Sequence, residues 1–200
     1  MEHCNDAITP TKQRLQLSEN EEEQNVHLTQ YIRLIGAICY LCNTRPNLAF
    51  NVAIASKFME RPKVSHLAAV KRILRYIKRS IGCEIVFPTM DRSRKCNLLD
   101  FTNSNWCEDK YDRKSTTEHI FMFDGTQISW CLKKEPVVAL SSCETEYITA
   151  SLCACQAAWL TNLLKELGNN EGEAVTLLVD NVPTINLAKN PIAHGRSNHI

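Results

Sequence analysis

The 200-residue sequence lacks any apolar run that approaches the length of a membrane-spanning helix. Its first residues, MEHCNDAITPTKQ, do not have the pattern of a secretory signal peptide. We therefore expect no transmembrane segment and no membrane partner.

A framework of paired cysteines is also missing, although the sequence contains ten cysteines. Cys39 and Cys42 form a C-x-x-C pair inside a helical apolar pattern, with no second pair and no histidine close by, so a zinc site is not expected. Cys153 and Cys155 likewise fall inside a helical pattern. Buried, reduced thiols are the prediction, and they indicate an intracellular, cytoplasmic protein.

Net charge is close to zero, but the two parts of the chain differ in sign. Residues 1–80 carry a balance of +5 and residues 81–200 a balance of −4. A basic part beside an acidic part is typical of a nucleic-acid platform joined to a metal-dependent site.

Residues 1–26 are polar, and we expect an extended or disordered leader. Residues 27–80 then show three helical patterns: one from about Thr29 to Arg45-Pro46, one over 47–59 and one over 64–80. The apolar faces are formed by Tyr31, Ile35, Ile38 and Leu41 in the first, by Leu48, Val52 and Ala55 in the second, and by Leu67, Val70, Leu74 and Ile77 in the third.

The third predicted helix carries a basic face opposite its apolar one. This face consists of Lys71, Arg72, Arg75, Lys78 and Arg79. It is either an ordinary solvated face or a surface that contacts nucleic-acid phosphates, where each cation adds salt-dependent affinity without reading sequence.

From residue 81 the apolar period changes to that of strands. CEIVFP, ending at Pro88, is predicted as a short strand, and residues 96–103 as a second one, with Leu99, Phe101 and Asn103 on one side. Residues 119–123 and 127–132 are predicted to form a hairpin about Asp124-Gly125.

A long helix is predicted from Ser142, its expected N-cap, to about Leu167, because Gly168 is a typical helix terminator. Its apolar stripe comprises Ile148, Leu152, Cys155, Trp159, Leu163 and Leu167, and its second face, with Ala150, Cys153 and Ala157, is small enough to lie close to a sheet. Glu146 shares that small face, whereas Glu144 points elsewhere. Both glutamates could simply favour the helix N-terminus through its dipole. A strand over 174–180 and a helix over 182–190 follow, so the elements from residue 96 onward have the order β-β-β-α-β-α.

Three stretches resemble the Pol polyproteins of copia-type retrotransposons. ALSSCETEYITA is similar to the ALSSTEAEYIA signature of their ribonuclease H domain, and YIRLIGAICYLCNTRPNLAFNVAIASKF and HLAAVKRILRYIKRSIG are similar to the segment that ends their reverse transcriptase. The resemblance implies a reverse-transcriptase tail at 27–80, of the thumb or connection type that touches the template–primer duplex. It also implies a ribonuclease H-like α/β domain at 81–200, a mixed sheet with flanking helices that is incomplete at its C-terminus. The polymerase palm has no counterpart, so a polymerase is not expected.

Ribonuclease H cleaves the RNA strand of an RNA–DNA hybrid with two Mg²⁺ ions, for which Mn²⁺ can substitute, held by carboxylates. Carried over by resemblance, the helix carboxylate is Glu146 and the end-of-strand carboxylate is Asp180; these two would be both catalytic residues and metal ligands. The first-strand aspartate of the family falls on Asn103, in FTNSNW. The fourth carboxylate follows a His-Ile pair in the family, and the sequence stops at Ile200 of that pair.

Other departures from the family point the same way. Asp100 stands where the family usually has glycine, in a strand that should be central, with no evident partner. Thr145 and Thr149 stand where the family usually has alanine.

Three hypotheses follow from these residues. The chain is a Pol fragment whose ribonuclease H-type endonuclease is catalytically impaired, or a non-catalytic module that binds hybrid or RNA through the basic helix, or an inert pseudogene product that does not fold stably. The rest of a Pol polyprotein would be its partner in the intact family.

Overall fold

The computed structural model describes residues 4–12, 15, 17–18, 21–87, 89, 97–107, 109, 112–168 and 174–190. The chain divides into two compact units, Met1–Ile85 and Val86–Ile200. The second unit begins close to residue 81, where the ribonuclease H-like domain is predicted to start. None of the helices within these described ranges is both long enough and apolar enough to cross a bilayer.

The first unit is built from three helices: α1 (Leu28–Leu41), α2 (Pro46–Ser56) and α3 (Val64–Arg79). Their apolar faces meet in one core, as the spacing predicts, because residues three and four apart share a side of a helix. That core contains Tyr31, Ile35, Ile38, Leu48, Val52, Ala55, Val70 and Ile73. The hydroxyl of Tyr31 donates to the carbonyl of Ala55 at 2.8 Å, which ties α1 to α2.

The two cysteines of the C-x-x-C pair differ in their relation to this core. Cys39 is exposed, whereas Cys42 is half-buried and packs against the core, and neither forms a disulfide, so the prediction of buried thiols is wrong for Cys39. The reason is rotational: Tyr31, Ile35 and Ile38 occupy the core side of α1, and Cys39 follows Ile38 by about 100° around the helix.

Part of the leader contacts the helices. The carboxylate of Glu23 accepts a hydrogen bond from the Ser65 hydroxyl at 2.7 Å, at the first turn of α3, where a negative charge is favoured. Val26 donates its amide to the carbonyl of Pro62 at 3.0 Å. The disordered leader stays a prediction, and Glu23 and Val26 of the leader are hydrogen-bonded to the segment around the start of α3.

The second unit contains a four-stranded mixed sheet in the order β3-β2-β1-β4. Its strands are β1 (Leu98–Asn105), β2 (Thr116–Phe123), β3 (Thr126–Lys134) and β4 (Thr176–Leu178). The pairs β1–β2 and β2–β3 are antiparallel, and β1–β4 is parallel. Asp124 and Gly125 both have positive φ in the β2–β3 turn, which is why this dipeptide predicts the hairpin.

The helices of this unit are α4 (Ser142–Glu166) and α5 (Val182–Lys189), so the predicted β-β-β-α-β-α order is confirmed. The α/β class is confirmed as well, and the architecture is consistent with a ribonuclease H-like fold. The strand predicted at residues 83–88 is wrong: residues 83–87 form no strand, and Val86 and Phe87 are exposed. Pro88 lies outside the described residues.

Helix α4 rests on the sheet through its small side chains. Cys153, Ala157 and Leu160 pack against Leu98 and Phe121, which confirms the small face as the sheet side. Of the larger stripe, Leu152, Cys155, Trp159, Leu163 and Leu167 are exposed. The N-cap is Ser141, not Ser142: its hydroxyl accepts from the amide of Glu144 at 3.1 Å.

The sheet face that points away from α4 carries a row of apolar side chains. Phe101 lies opposite Ile120 and Leu178, and Ile120 lies opposite Trp130. Phe101 and Leu178 are 48% and 42% exposed, so the described residues leave this row open to solvent. Among the described residues, α4 covers one face of the sheet and no helix of this unit covers the apolar row on the other face.

Asp100 lies on the α4 side of the central strand and is fully buried. Its carboxylate oxygens have no hydrogen-bond partner of good geometry among the described residues, as the sequence leads us to expect. Burial raises the pKa of Asp100 to about 6, and interactions with the Cys153 thiol and the backbone of Ile120 offset part of the rise. A charge at this position is therefore unfavourable for folding.

We expect Asp100→Asn to stabilise the chain at neutral pH. Ionised Asp100 costs the native state about 3 kcal/mol above pH 6, and the cost disappears below about pH 4, where the carboxyl is protonated in both states. Denaturant unfolding at pH 4, 5, 6 and 7 should show the advantage of the variant growing with pH. Asp112→Asn, the same change of charge in a partly exposed ion pair with Lys134, is the control and should have no comparable effect. A constant difference between Asp100→Asn and the unmodified chain would contradict this account.

Candidate functional site

Glu146 lies in the first turns of α4 and faces the sheet, where only 5% of it is exposed. Its Oε1 accepts two hydrogen bonds from Ser104 of β1, from the amide at 3.0 Å and from the hydroxyl at 2.8 Å. Its Oε2 is buried without a hydrogen bond among the described residues. The helix carboxylate is therefore fixed against the central strand through Oε1, while Oε2 accepts no hydrogen bond from the described residues.

The pKa of Glu146 is raised by burial. The hydrogen bonds from Ser104 oppose the rise, and the charges of Asp180 and Glu135 add to it. Asp180 is thus close enough to Glu146 for their charges to interact.

Asn103 precedes Ser104 in β1 and is exposed, on the sheet face opposite Asp100 and Thr102. Glu118 of β2 lies directly opposite it in the ladder. Because successive side chains of a strand alternate, Asn103 points away from α4 while its neighbour Ser104 binds the Glu146 carboxylate.

Asp180 follows β4 and is exposed. Leu178 is in register with Phe101 in the parallel β1–β4 pair. Asp180 and Asn103 each lie two residues beyond this pair, so the chain brings both to the same edge of the sheet. The backbone positions of the three predicted site residues therefore lie at the ends of β1 and β4 and at the start of α4, with the Asn103 side chain on the sheet face away from α4.

Glu144 is separate from this group, as the helix geometry predicts. Its Oε2 accepts a hydrogen bond from the amide of Leu140 at 2.6 Å, just before the helix. Glu144 therefore has a capping role at the start of α4.

A buried polar cluster beside the site was missed by the sequence analysis. Glu135, only 2% exposed, accepts hydrogen bonds from the hydroxyl of Thr145 at 2.6 Å and from that of Thr117 at 3.3 Å. Thr117 also shares a hydrogen bond of 3.1 Å with Thr149. The sequence did carry a signal for this cluster, because Thr145 and Thr149 stand where the family usually has alanine and a buried hydroxyl needs a hydrogen-bond partner.

The basic face of α3 belongs to the first unit. Lys71 and Arg79 are exposed, and Arg72, Arg75 and Lys78 are half-buried. Arg72 and Lys78 make hydrogen bonds with residues of the leader. The basic face is therefore present on α3 as predicted, and two of its five cations, Arg72 and Lys78, contact the leader.

The residues at the sheet edge do not fit a two-metal centre. Nowhere in the part of the chain that the structure describes do three or more His, Cys, Asp or Glu side chains form a group that could hold a metal ion. Asn103 supplies a neutral oxygen, and one oxygen of Glu146 is engaged by Ser104. Magnesium requires several oxygen ligands and enough negative charge to hold the ion.

An α/β unit with this strand order, a carboxylate at the head of its long helix and a second carboxylate after its parallel edge strand has the layout of a ribonuclease H-like domain. The sequence is 35% identical over 207 residues to the "Retrovirus-related Pol polyprotein from transposon TNT 1-94" of Nicotiana tabacum, a match that covers 100% of this chain and 15% of that protein. It is 34% identical over 172 residues to the corresponding polyprotein from transposon RE1 of Arabidopsis thaliana, covering 86% of this chain and 12% of that protein.

The chain belongs to the family of the retrovirus-related Pol polyproteins of copia-type transposons. It spans 15% or less of the length of these two relatives. It is also 37% identical over 132 residues to "Secreted RxLR effector protein 161" of Plasmopara viticola, covering 66% of this chain and 91% of that protein. No protein-family model and no solved structure matches the chain.

We expect Thr145→Val to lower the free energy of unfolding by about 1–3 kcal/mol, because the buried Glu135 carboxylate loses its shorter hydrogen bond. Thr161→Val removes a hydroxyl from the same helix that donates only to the carbonyl of Ala157, and it serves as the matched control. Urea unfolding of both variants measures the difference. Equal stabilities of the two would show that the Glu135 cluster contributes nothing.

Proposed function

We propose that this Pol segment is a ribonuclease H-like module that binds nucleic acid and does not cleave it. The observation that carries the proposal is the identity of residue 103: the neutral amide of Asn103 stands at the position of β1 where the family's chemistry needs a negative charge in addition to those of Glu146 and Asp180. The alternatives that remain are weak residual cleavage and a chain that folds poorly.

The argument against cleavage is electrostatic. Glu146 and Asp180 supply two negative charges, and two divalent cations brought close together repel each other strongly. With one oxygen of Glu146 already bonded to Ser104, the site has too few charged ligands to hold two ions.

We expect the chain to show no cleavage of the RNA strand in an RNA–DNA hybrid with either Mg²⁺ or Mn²⁺. A missing charge of this kind should cost at least about 10²–10³ in rate, by analogy with the loss of one oxyanion-stabilising group. Gel analysis of a labelled hybrid measures the rate, and Asn103→Asp alone should recover little, because one oxygen of Glu146 stays bonded to Ser104.

Two outcomes of that assay would change the assignment. Robust cleavage that Glu146→Gln abolishes would show that the first-strand ligand is not at position 103. Cleavage that survives Glu146→Gln would show that the activity does not come from this site at all.

Binding is proposed for α3, whose cations are spaced along one side of a single helix. Lys71, Arg72, Arg75, Lys78 and Arg79 recur at intervals of one or three residues, so they can follow a phosphate backbone without reading its sequence. RNA–DNA hybrid and template–primer duplex are the proposed partners, since the sequence segment that contains α3 resembles the end of a reverse transcriptase. The cytoplasmic location inferred from the cysteines stays a prediction.

We expect Lys71→Gln with Arg79→Gln to weaken hybrid binding and to reduce the slope of log K against log salt by roughly two, one for each lost phosphate contact. Fluorescence anisotropy from 50 to 200 mM salt measures the slope. The charge-matched control is Arg33→Gln with Lys57→Gln, which removes two exposed cations from other helical segments. Identical slopes for the two double variants would mean that the α3 face is only a solvated one.

A further inference from the structure

The described N-terminal residues 4–12, here called the N-terminal strap, lie across the basic face of α3. Arg72 donates from Nε to the carbonyl of Thr9 at 3.1 Å and from Nη2 to the hydroxyl of Thr9 at 3.0 Å. Lys78 donates to the carbonyl of Cys4 at 3.0 Å and pairs with the carboxylate of Asp6 at 3.4 Å. Two of the five cations are therefore in contact with the chain itself.

The strap is held by more than charge. Ala7 is only 6% exposed, whereas its neighbour Ile8 is 75% exposed, so the strap has one residue packed inward and the next directed to solvent. Thr9 also donates to the carbonyl of Thr11 at 2.7 Å, which closes a turn. Arg75 lies between Arg72 and Lys78 on the same helix face, and its Nε is buried without a hydrogen bond among the described residues.

The groups that hold the strap are the groups a phosphate would use. A guanidinium such as that of Arg72 binds two acceptor oxygens at once, whether these belong to Thr9 or to a phosphate. The Lys78–Asp6 pair is partly exposed, with 31% and 43% of the side chains accessible, and such pairs are weak. A polyanion can therefore displace the strap, but it must compete for the same donors.

We propose that the N-terminal strap is an intramolecular cover of the α3 face, so that nucleic acid gains Arg72 and Lys78 only when the strap moves away. This inference rests on the proposed binding of nucleic acid by α3. In the covered state Lys71 and Arg79 are the exposed cations of the face. In the uncovered state Arg72 and Lys78 join them, and both the affinity and its dependence on salt increase.

The strap can be displaced without any change of charge. Ala7→Gln places a larger polar side chain at a buried position, and Ile8→Gln places the same side chain at an exposed one. Binding of a mixed-sequence RNA–DNA hybrid by the full chain is measured by anisotropy from 50 to 200 mM salt. For Ala7→Gln we expect the slope of log K against log salt to steepen by roughly two. The ratio of the affinity at 50 mM to the affinity at 200 mM salt should therefore be about tenfold larger than in the unmodified chain. Ile8→Gln should match the unmodified chain.

A second variant tests the ion pair alone. Asp6→Asn frees Lys78, and Glu21→Gln makes the same change of charge beside Pro62 and Lys63, at the other end of α3. Asp6→Asn should bind the hybrid more tightly than Glu21→Gln. Equal affinities would show that Asp6 does not compete with phosphate.

A readout without nucleic acid separates the cover from the proposed function. Acetylation of the Lys78 amine, measured by mass spectrometry relative to exposed Lys71, should be faster in Ala7→Gln than in Ile8→Gln, with circular dichroism confirming that both variants fold. Faster acetylation with unchanged hybrid binding overturns the proposed control of access, while the proposed binding by Lys71 and Arg79 survives. Unchanged acetylation in folded Ala7→Gln overturns the cover itself. If no variant binds the hybrid at any salt concentration, the proposed nucleic-acid binding fails, and with it the role of the strap.

Discussion

The bond between the Glu146 carboxylate and Ser104 joins the long helix to the central strand, and most of the second unit depends on it. It fixes which side of α4 faces the sheet, because a carboxylate in that place must find donors. The amide and hydroxyl of Ser104 provide both. Once this contact is set, the small side chains Cys153 and Ala157 follow along the same face and allow the close approach of α4 to Leu98 and Phe121. A position that the family uses for chemistry thus has a structural role in this chain.

Local features of the fold could be read from the sequence because their causes are local. The Asp124-Gly125 turn requires positive φ, and the helices of the first unit are defined by apolar side chains three and four residues apart. The orientation of α4 was predictable from its small face. The exposure of Trp159 and Leu163 was harder to foresee, because a stripe of large apolar side chains ordinarily indicates the buried side. The prediction of a strand at 83–88 was wrong because an apolar run becomes a strand only when a neighbouring strand pairs with it.

The buried polar groups could not be predicted from pattern alone. The sequence directly around Glu135 does not indicate that its carboxylate accepts hydrogen bonds from the hydroxyls of Thr117 and Thr145. These threonines lie 18 and 10 residues away. Asp100 is the opposite case, since a charge in a central strand is visible in the sequence and the fold supplies no good partner. The free-energy cost of burial therefore differs between the Glu135 and Asp100 carboxylates, and only the three-dimensional contacts reveal the difference. The backbone positions of Asn103, Glu146 and Asp180 at one end of the sheet follow from strand order, whereas their poor fit to a two-metal centre follows from the neutral amide of Asn103 and the oxygen of Glu146 that Ser104 engages.

The open face of the sheet has a practical consequence. Trp130, Ile120, Phe101 and Leu178 form a continuous apolar row across all four strands. Apolar surface of this kind favours contact between molecules as concentration rises. Purification of the isolated chain should therefore be most tractable at low protein concentration, and colloidal behaviour, more than unfolding, should limit attempts at crystallisation. Polar substitutions at Phe101 and Leu178, which are already about half exposed, are the natural starting point for a variant suited to such work.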